Sequence, residues 1–134
     1  DYFSAGQEAS RFSRPGEAER MFAMAIRKDK YLIKAYLALV DIYLVLGRYQ
    51  DGLNITGKGL IINSTHAGLW ERKGLLSGAL GLDEEAASAY EKAVSLAPDD
   101  LVILDKALVF FGDIGDEAMV QELLQKRLSL TSSN

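Results

Sequence analysis

The sequence predicts an all-α solenoid of about four helix-turn-helix units, and a repeat of 34 residues is the main reason. Gly47, Gly81 and Gly115 lie 34 residues apart. Neighbouring columns keep the same step and preserve residue size, as one aliphatic column shows: Ile26, Leu60, Val94 and Leu128. A step shared by several columns indicates a structural unit copied along the chain. Such arrays expose extended surfaces that bind other molecules, so the period also bears on function.

Each unit is predicted to hold two helices joined by a tight turn, and residues 67–100 show this most clearly. Apolar residues recur at spacings of three and four between Leu69 and Leu80, which is helical periodicity. A second stripe of the same kind begins at Ala86. Gly81 lies between the two stripes, so we predict one helix on each side of it.

Aspartates are predicted to begin the helices of this unit. Asp83 follows the turn and is expected to cap the second helix with its side chain. Pro98 disfavours helix for the residue before it, and Asp99 or Asp100 then stands where the next helix should be capped.

This pattern resembles the tetratricopeptide repeat (TPR) family. Its motif has an aromatic and a glycine in the first helix, a glycine before the turn, small and aromatic residues in the second helix, and a proline at the join. The third copy supplies Trp70, Gly74, Gly81, Ala86, Tyr90, Ala93 and Pro98. The first copy supplies Tyr2, Gly6, Ala18, Phe22 and Ala25, and the second supplies Tyr36, Leu39, Tyr43, Gly47, Gly52 and Gly59. The resemblance implies a right-handed α-solenoid of about four hairpins that binds proteins without catalysing a reaction.

The repeat divides the chain into four predicted segments: 1–32, which is N-terminally incomplete; 33–66; 67–100; and 101–134, a degenerate copy with an amphipathic capping helix and a short polar tail. The capping helix is predicted to gather these apolar residues on one face: Met119, Val120, Leu123, Leu124 and Leu128. A polar outer face is typical of a terminal repeat. Because the chain begins at Asp1 and not at methionine, we expect it to be a piece of a longer protein, and further repeats upstream stay open.

The second helix of the second copy contains three glycines. Gly52 and Gly59 occupy the small sites of the motif, whereas Gly57 does not. A helix-interior glycine costs about 0.8–1.0 kcal/mol relative to alanine, so this helix is predicted to be the softest in the array. Two interpretations of Gly57 stay open, tolerated drift and a functional hinge.

Composition and charge restrict the partners. The 134 residues include 49% hydrophobic and 25% charged residues, which is ordinary for a folded domain, and no cysteine. Residues 1–67 carry 9 Lys and Arg against 7 Asp and Glu, whereas residues 68–134 carry 6 against 12. A mildly acidic chain lacks the basic surface that phosphate backbones require, so no nucleic-acid partner is predicted. The cationic cluster is explained by a helix end followed by a helix start: Arg27, Lys28, Lys30 and Lys34.

Motifs for chemistry are missing from the sequence. His66 is the single histidine and is expected to be a surface residue, without a second histidine or cysteine to hold a metal. We therefore predict no enzyme, no catalytic residue, no cofactor and no metal site. No apolar run approaches a membrane span and no signal peptide is visible, so no direct membrane insertion is expected and a cytoplasmic location is favoured.

The predicted binding surface is the groove that first helices line in the TPR family. Carrying that geometry over selects Lys34, Leu37, Asp41, Leu44, Val45, Glu71, Arg72, Leu75, Val102, Asp105 and Val109. Helical spacing supports the grouping independently, because Leu37 and Leu44 fall opposite Leu39 on a helix that is apolar on two faces. An apolar groove suits a helical or extended apolar peptide, so we predict a non-catalytic protein-protein interaction module.

Two other functions stay open. The same face could be buried in a homo-oligomer, which would make the chain a self-associating assembly scaffold. The chain could also be a docking or regulatory domain of a larger enzyme. One TPR subclass binds a C-terminal carboxylate through cationic and amide side chains, and that mode is disfavoured because its positions hold Phe3, Gln7, Leu37, Asp41, Glu71 and Leu75.

Overall fold

The computed structural model describes residues 1–132, and within that range the chain forms helices and no β-strand. The eight helices are α1 (Tyr2–Arg11), α2 (Pro15–Lys28), α3 (Ile33–Leu46), α4 (Tyr49–Ile62), α5 (Ala67–Ala79), α6 (Asp83–Leu96), α7 (Leu101–Asp113) and α8 (Glu117–Ser132). The predicted all-α fold class is confirmed. None of these helices, within the described residues, combines the length and hydropathy that crossing a bilayer requires.

The chain divides into two compact units, one spanning Asp1–Ser64 and the other beginning at Thr65. In unit 1, α1 packs against α2, α2 against α3, and α3 against α4. In unit 2, α5 packs against α6, α6 against α7, and α7 against α8. Each unit therefore contains two helix pairs in sequence.

Four helix ends share one turn geometry. Gly47, Gly81 and Gly115 adopt left-handed φ angles of 72°, 77° and 77°. In each case the N–H of the following residue donates to a carbonyl five residues earlier, as Leu82 N does to Ser77 O at 2.9 Å. This is the Schellman arrangement that ends many helices. The glycine column of the sequence is thus a column of left-handed residues.

The fourth turn of this kind has a serine where the others have glycine. Ser13 lies 34 residues before Gly47 and is the non-glycine residue of positive φ in the described chain, at 57°. Arg14 N donates to Ala9 O at 2.8 Å, which is the same bond as in the other turns. Four turns at a constant spacing therefore have one backbone geometry, although only three of them contain glycine.

Glycines in the first helices let aromatic rings approach closely. A Cβ at Gly74 would lie 2.8 Å from the Tyr90 ring, and a Cβ at Gly6 would lie 2.5 Å from the Phe22 ring. Both distances are too short for a real side chain, so each hairpin depends on glycine at this crossing. The predicted reason for the small sites, close packing of the two helices of a pair, is confirmed at these two positions.

The core of each unit lies between its helices. In unit 1, Ala18, Phe22 and Leu39 are buried, and the Phe22 ring lies 5.6 Å from the ring of Phe3. Unit 2 has a larger core, whose buried side chains come from all four of its helices: Ala86, Tyr90, Ala93, Val94, Ile103, Leu104, Ala107, Phe110, Phe111 and Leu123, with α5 contributing the partly buried Trp70 and Leu75. Apolar side chains of this size supply most of the folding free energy of a small domain.

Helix ends confirm one predicted cap and correct another. Asp100 caps α7, since its Oδ1 accepts from Val102 N at 3.0 Å and Ile103 N at 3.2 Å. The prediction for Asp83 was wrong, because α6 begins at Asp83 itself and Leu82 occupies the cap without a side-chain hydrogen bond. Asp83 then contributes its charge to the first turn, where the helix dipole favours a carboxylate.

The last helix is longer than predicted and only partly covered. Thr131 and Ser132 of the predicted polar tail belong to α8, while Ser133 and Asn134 lie outside the described residues. Leu123 is buried, but Leu124 and Leu128 of the same predicted face are 45% and 65% exposed. The apolar residues of α8 therefore form a covered stripe and an uncovered one.

The glycine-rich helix is continuous. α4 runs without a break from Tyr49 to Ile62, with Gly52 and Gly59 buried and Gly57 exposed. No atom lies within 4 Å of a Cβ built on Gly57. Packing therefore explains Gly52 and Gly59, as predicted, and places no demand on Gly57.

Candidate functional site

Unit 2 contains an open cleft of about 450 Å³ between α5 and α7, with α6 at its base. We call it the α5–α7 cleft. Its lining comes from those three helices and the turn after α7: Gly74, Leu75, Gly78, Asp83, Tyr90, Asp105, Lys106, Val109, Phe110, Asp113 and Ile114. Three of the predicted groove residues, Leu75, Asp105 and Val109, are brought together here.

The base of the cleft is aromatic. Tyr90 and Phe110 stack with their ring centroids 5.2 Å apart, and both side chains are buried. Gly74 and Gly78 leave room above these rings, since neither adds a side chain. Burial raises the pKa of the Tyr90 hydroxyl, and the negative charge of Glu71 raises it further. Tyr90 therefore stays neutral at physiological pH and the base of the cleft carries no charge.

Aliphatic side chains form the walls. Leu75 of α5 is half-buried against the core, whereas Val109 of α7 is 64% exposed and Ile114 is 40% exposed. Three aliphatic side chains around two stacked rings make a continuous apolar surface, which a ligand can cover and thereby remove from water.

A buried ion pair fixes the lysine of the cleft. Lys106 Nζ lies 2.5 Å from Glu71 Oε1. The Glu71 side chain is only 5% exposed, and its other oxygen, Oε2, has no hydrogen-bond partner in residues 1–132. Lys106 is therefore the group that compensates this buried carboxylate, and moving Lys106 away would leave a buried charge unpaired.

The remaining charges of the cleft are carboxylates. Asp105 pairs with Arg127 of α8, whose Nε lies 2.6 Å away. Asp83 and Asp113 form no ion pair within the part of the chain that the structure describes. Both are exposed, and each stands at an end of its helix: Asp83 is the first residue of α6 and Asp113 is the last of α7. This end of the cleft is negatively charged.

Unit 1 contains a second cleft, which brings together two other predicted groove residues. Asp41 and Val45 of α3 line a space of about 710 Å³. The other lining residues are Gln7, Ser10, Ser13, Arg14, Pro15, Phe22, Ala38 and Ile42. We call it the α1–α3 cleft. Half of its lining residues are polar, so it offers a less continuous apolar surface than the α5–α7 cleft.

Several predicted groove residues lie elsewhere. Lys34 stands 4.5 Å above the ring of Phe3, where its charge interacts with the aromatic face. Leu37 and Leu44 are half-buried and line neither of the two clefts. Val102 is 61% exposed on α7 but lies outside the α5–α7 cleft.

Glu71 and Arg72 also differ from the surface role that was predicted. Glu71 is 4% exposed and lies beneath Lys106, so it acts on the cleft through that lysine and offers no surface of its own. Arg72 is half-buried, and its guanidinium donates to Gly68 O at 3.2 Å within α5.

His66 has a structural role that the sequence did not reveal. Its Nδ1 accepts a hydrogen bond from Leu69 N at 3.3 Å and so caps α5, and the ring is half-buried instead of lying free on the surface. Burial lowers the pKa of His66, and the positive charge of Arg72 lowers it further. The neutral imidazole is the form that can accept this bond.

Sequence reasoning missed Lys106 and Asp113 as cleft residues. Helical spacing held the signal, because they precede and follow Val109 by three and four residues and so share its face. The sequence contained no signal that would distinguish Val109 from Val102, since both stand on the predicted groove face.

Comparisons with known proteins agree on the kind of fold. The family model for the tetratricopeptide repeat matches residues 67–100. The transcription factor tau 131 kDa subunit of Saccharomyces cerevisiae is 32% identical over 81 residues, which make up 60% of this chain and 8% of that protein.

Solved structures match over most of the chain. A crystal structure of MamA superimposes with a TM-score of 0.83 at 19% identity, covering 98% of this chain and 80% of the other. The first TPR of Spaghetti (RPAP3), bound to the HSP90 peptide SRMEEVD, superimposes with a TM-score of 0.78 at 17% identity, covering 85% of this chain and 90% of the other. The predicted resemblance is confirmed: residues 67–100 are a tetratricopeptide repeat, and the chain has the all-α hairpin fold of tetratricopeptide repeat proteins.

Proposed function

We propose that this chain is a non-catalytic protein-interaction module, and that unit 2 binds a helical or extended apolar peptide in the α5–α7 cleft. The observation that supports it is an open apolar surface, in which Val109 and Ile114 are exposed beside the stacked rings of Tyr90 and Phe110. Folded domains normally keep such contiguous surfaces small unless something binds them.

The energetics suit a peptide with one or two anchoring side chains. Full burial of a leucine or phenylalanine side chain contributes about 1.5–3 kcal/mol, and a few such anchors carry most of the affinity of an interface. The rings beneath the cleft are held by the core, so little entropy is lost when a ligand contacts them. The α1–α3 cleft, with Val45 exposed at its edge, is a candidate for a second and weaker anchor.

The proposal is tested with two valines of the same helix. Peptides that bind the purified chain are first selected from a displayed library, and their dissociation constants are measured for Val109→Asp and Val102→Asp. Both valines are more than half exposed on α7, so neither variant should disturb the fold, but only Val109 lines the cleft. We expect Val109→Asp to weaken binding by about tenfold, which corresponds to about 1.4 kcal/mol.

Val102→Asp is the matched control and should leave the dissociation constant nearly unchanged. Equal losses in the two variants, or no loss in either, would contradict binding in the α5–α7 cleft. Circular dichroism of both variants checks that the helices persist.

Self-association into an assembly scaffold is a second candidate function, favoured by the surface of α8. Tyr90 and Val94 of α6 are buried in unit 2, whereas the residues 34 positions later, Leu124 and Leu128, are exposed. The position that is covered in α6 is therefore uncovered in α8, and a second copy of the chain could supply the cover.

A further inference from the structure

We infer that the peptide bound by the α5–α7 cleft carries a lysine or arginine beside its apolar anchor. This inference rests on the proposed function and adds the chemistry of the partner. Its basis is the distribution of charge around the cleft, which differs from one end to the other.

The carboxylates at the turn end of the cleft have no cation of their own. Asp83 and Asp113 line the cleft and are exposed, and neither forms an ion pair in residues 1–132. Asp113 is also the last residue of α7, where the negative end of the helix dipole adds to its field. A cationic side chain placed here would meet two carboxylates and a helix C-terminus, next to the apolar base.

The cation of the cleft is already engaged. Lys106 is held by the buried carboxylate of Glu71 at 2.5 Å. Turning Lys106 toward an acidic ligand would leave Glu71 buried without a counter-charge, which is strongly unfavourable. An anionic peptide therefore finds two unpaired carboxylates and a lysine that is unavailable to it.

The wider field has the same sign. Residues 68–134, which include the whole lining of the cleft, carry 6 Lys and Arg against 12 Asp and Glu. A field of one sign over a binding surface speeds the approach of a ligand of the opposite sign and repels one of the same sign. Nucleic acid is repelled for the same reason.

A metal ion does not explain these carboxylates. No three acidic or histidine side chains in the described part of the chain are grouped closely enough to hold a metal ion. The spacing of Asp83 and Asp113 around an apolar surface suits an extended cationic side chain, whose methylene groups can lie on the rings while its charge reaches a carboxylate.

The experiment compares three fluorescent peptides on the intact chain. The first has a pair of leucines flanked by arginines, the second has glutamates in place of the arginines, and the third is SRMEEVD, the acidic peptide of the solved Spaghetti complex. Each is titrated against the native chain, the double variant Asp83→Asn with Asp113→Asn, and a control double variant, Glu84→Gln with Asp99→Asn. The control makes the same change in net charge at exposed sites outside the cleft.

We expect the arginine peptide to bind the native chain at least fivefold more tightly than the glutamate peptide, as two solvent-exposed ion pairs allow. The cleft variant should remove most of this preference and flatten its dependence on salt, while the control variant should keep both. SRMEEVD should bind weakly to all three proteins.

Failure of the inference and failure of the proposed function give different results. If the glutamate peptide binds as tightly as the arginine peptide, or the cleft variant keeps the preference, while Val109→Asp still weakens binding, the charge of the partner is wrong and the cleft stands. If Val109→Asp changes the affinity of none of the peptides that bind, the proposed function fails together with the inference.

Discussion

At the scale of single residues, the sequence located special positions more accurately than it explained them. The period singled out Gly47, Gly81 and Gly115, and the structure shows why each is glycine, since each is left-handed. The same period contains Ser13, which sequence reasoning passed over because it compares residue identities and not backbone angles. A serine in this conformation brings its Cβ too close to the following carbonyl oxygen.

Replacing Ser13 with glycine should stabilise unit 1. The left-handed conformation costs a non-glycine residue about 1–2 kcal/mol, and glycine returns part of this gain through its greater entropy when unfolded, so we expect Ser13→Gly to raise the free energy of unfolding by about 0.5–1 kcal/mol. Urea denaturation monitored by circular dichroism measures the change. Ser10→Gly, in the right-handed backbone of α1, is the control and should lower stability. A loss of stability in Ser13→Gly would show that the turn is not strained.

The cleft residues illustrate the other limit of sequence reasoning at this scale. Helical spacing placed Asp105 and Val109 on one face correctly, and both line the α5–α7 cleft. It could not show that Glu71 is buried beneath Lys106, because that depends on contact between α5 and α7, which are 35 residues apart at this point. Long-range packing of this kind leaves no periodic signal in a single sequence.

At the scale of helices, extents were predictable and ends less so. The periodic apolar stripes predicted α5 to within a residue, since its range of Ala67–Ala79 compares with a predicted end at Leu80. Caps were harder: Asp100 caps α7 as predicted, but Asp83 lies inside α6. A cap depends on where the backbone leaves the helical conformation, and a difference of one residue changes which side chain can reach a free N–H.

His66 predicts a pH dependence of stability. Its pKa is lowered in the folded chain, so the folded state binds fewer protons than the unfolded state. The stabilisation by this cap is therefore fully present above the ordinary pKa of 6.5 and is lost as the pH falls through the lower folded value. Protonation also removes the lone pair with which Nδ1 accepts from Leu69 N.

We expect the urea midpoint of the native chain to fall between neutral and mildly acidic pH by more than the midpoint of His66→Asn. The asparagine oxygen can accept the same cap bond without titrating in this range. His66→Ala should be less stable than both at neutral pH. If the native chain and His66→Asn lose stability in parallel, other groups carry the acid sensitivity.

At the scale of the whole molecule, the period survives changes that hide it from comparison by identity. The family model matches residues 67–100 alone, yet four turns at the same spacing share one backbone geometry. The hairpin that pairs Gly74 with Tyr90 has Val40 and Thr56 at the same positions in unit 1, and both are buried. A medium pair can replace a small and a large one because cores respond to total volume and shape.

The oligomeric state follows from the uncovered stripe of α8, where Leu124 and Leu128 are exposed although their counterparts in α6 are buried. If the chain associates through this stripe, the mass from light scattering should rise with concentration, because each exposed leucine gains about 1.5–3 kcal/mol when it is fully covered. Leu128→Glu should then keep the chain monomeric, since a carboxylate would be buried without a partner. Ser129→Glu adds the same charge to the neighbouring position, which is already polar and exposed, and should leave association unchanged. A native chain that stays monomeric at every concentration would contradict self-association and leave peptide binding in the α5–α7 cleft as the function that the exposed surface supports.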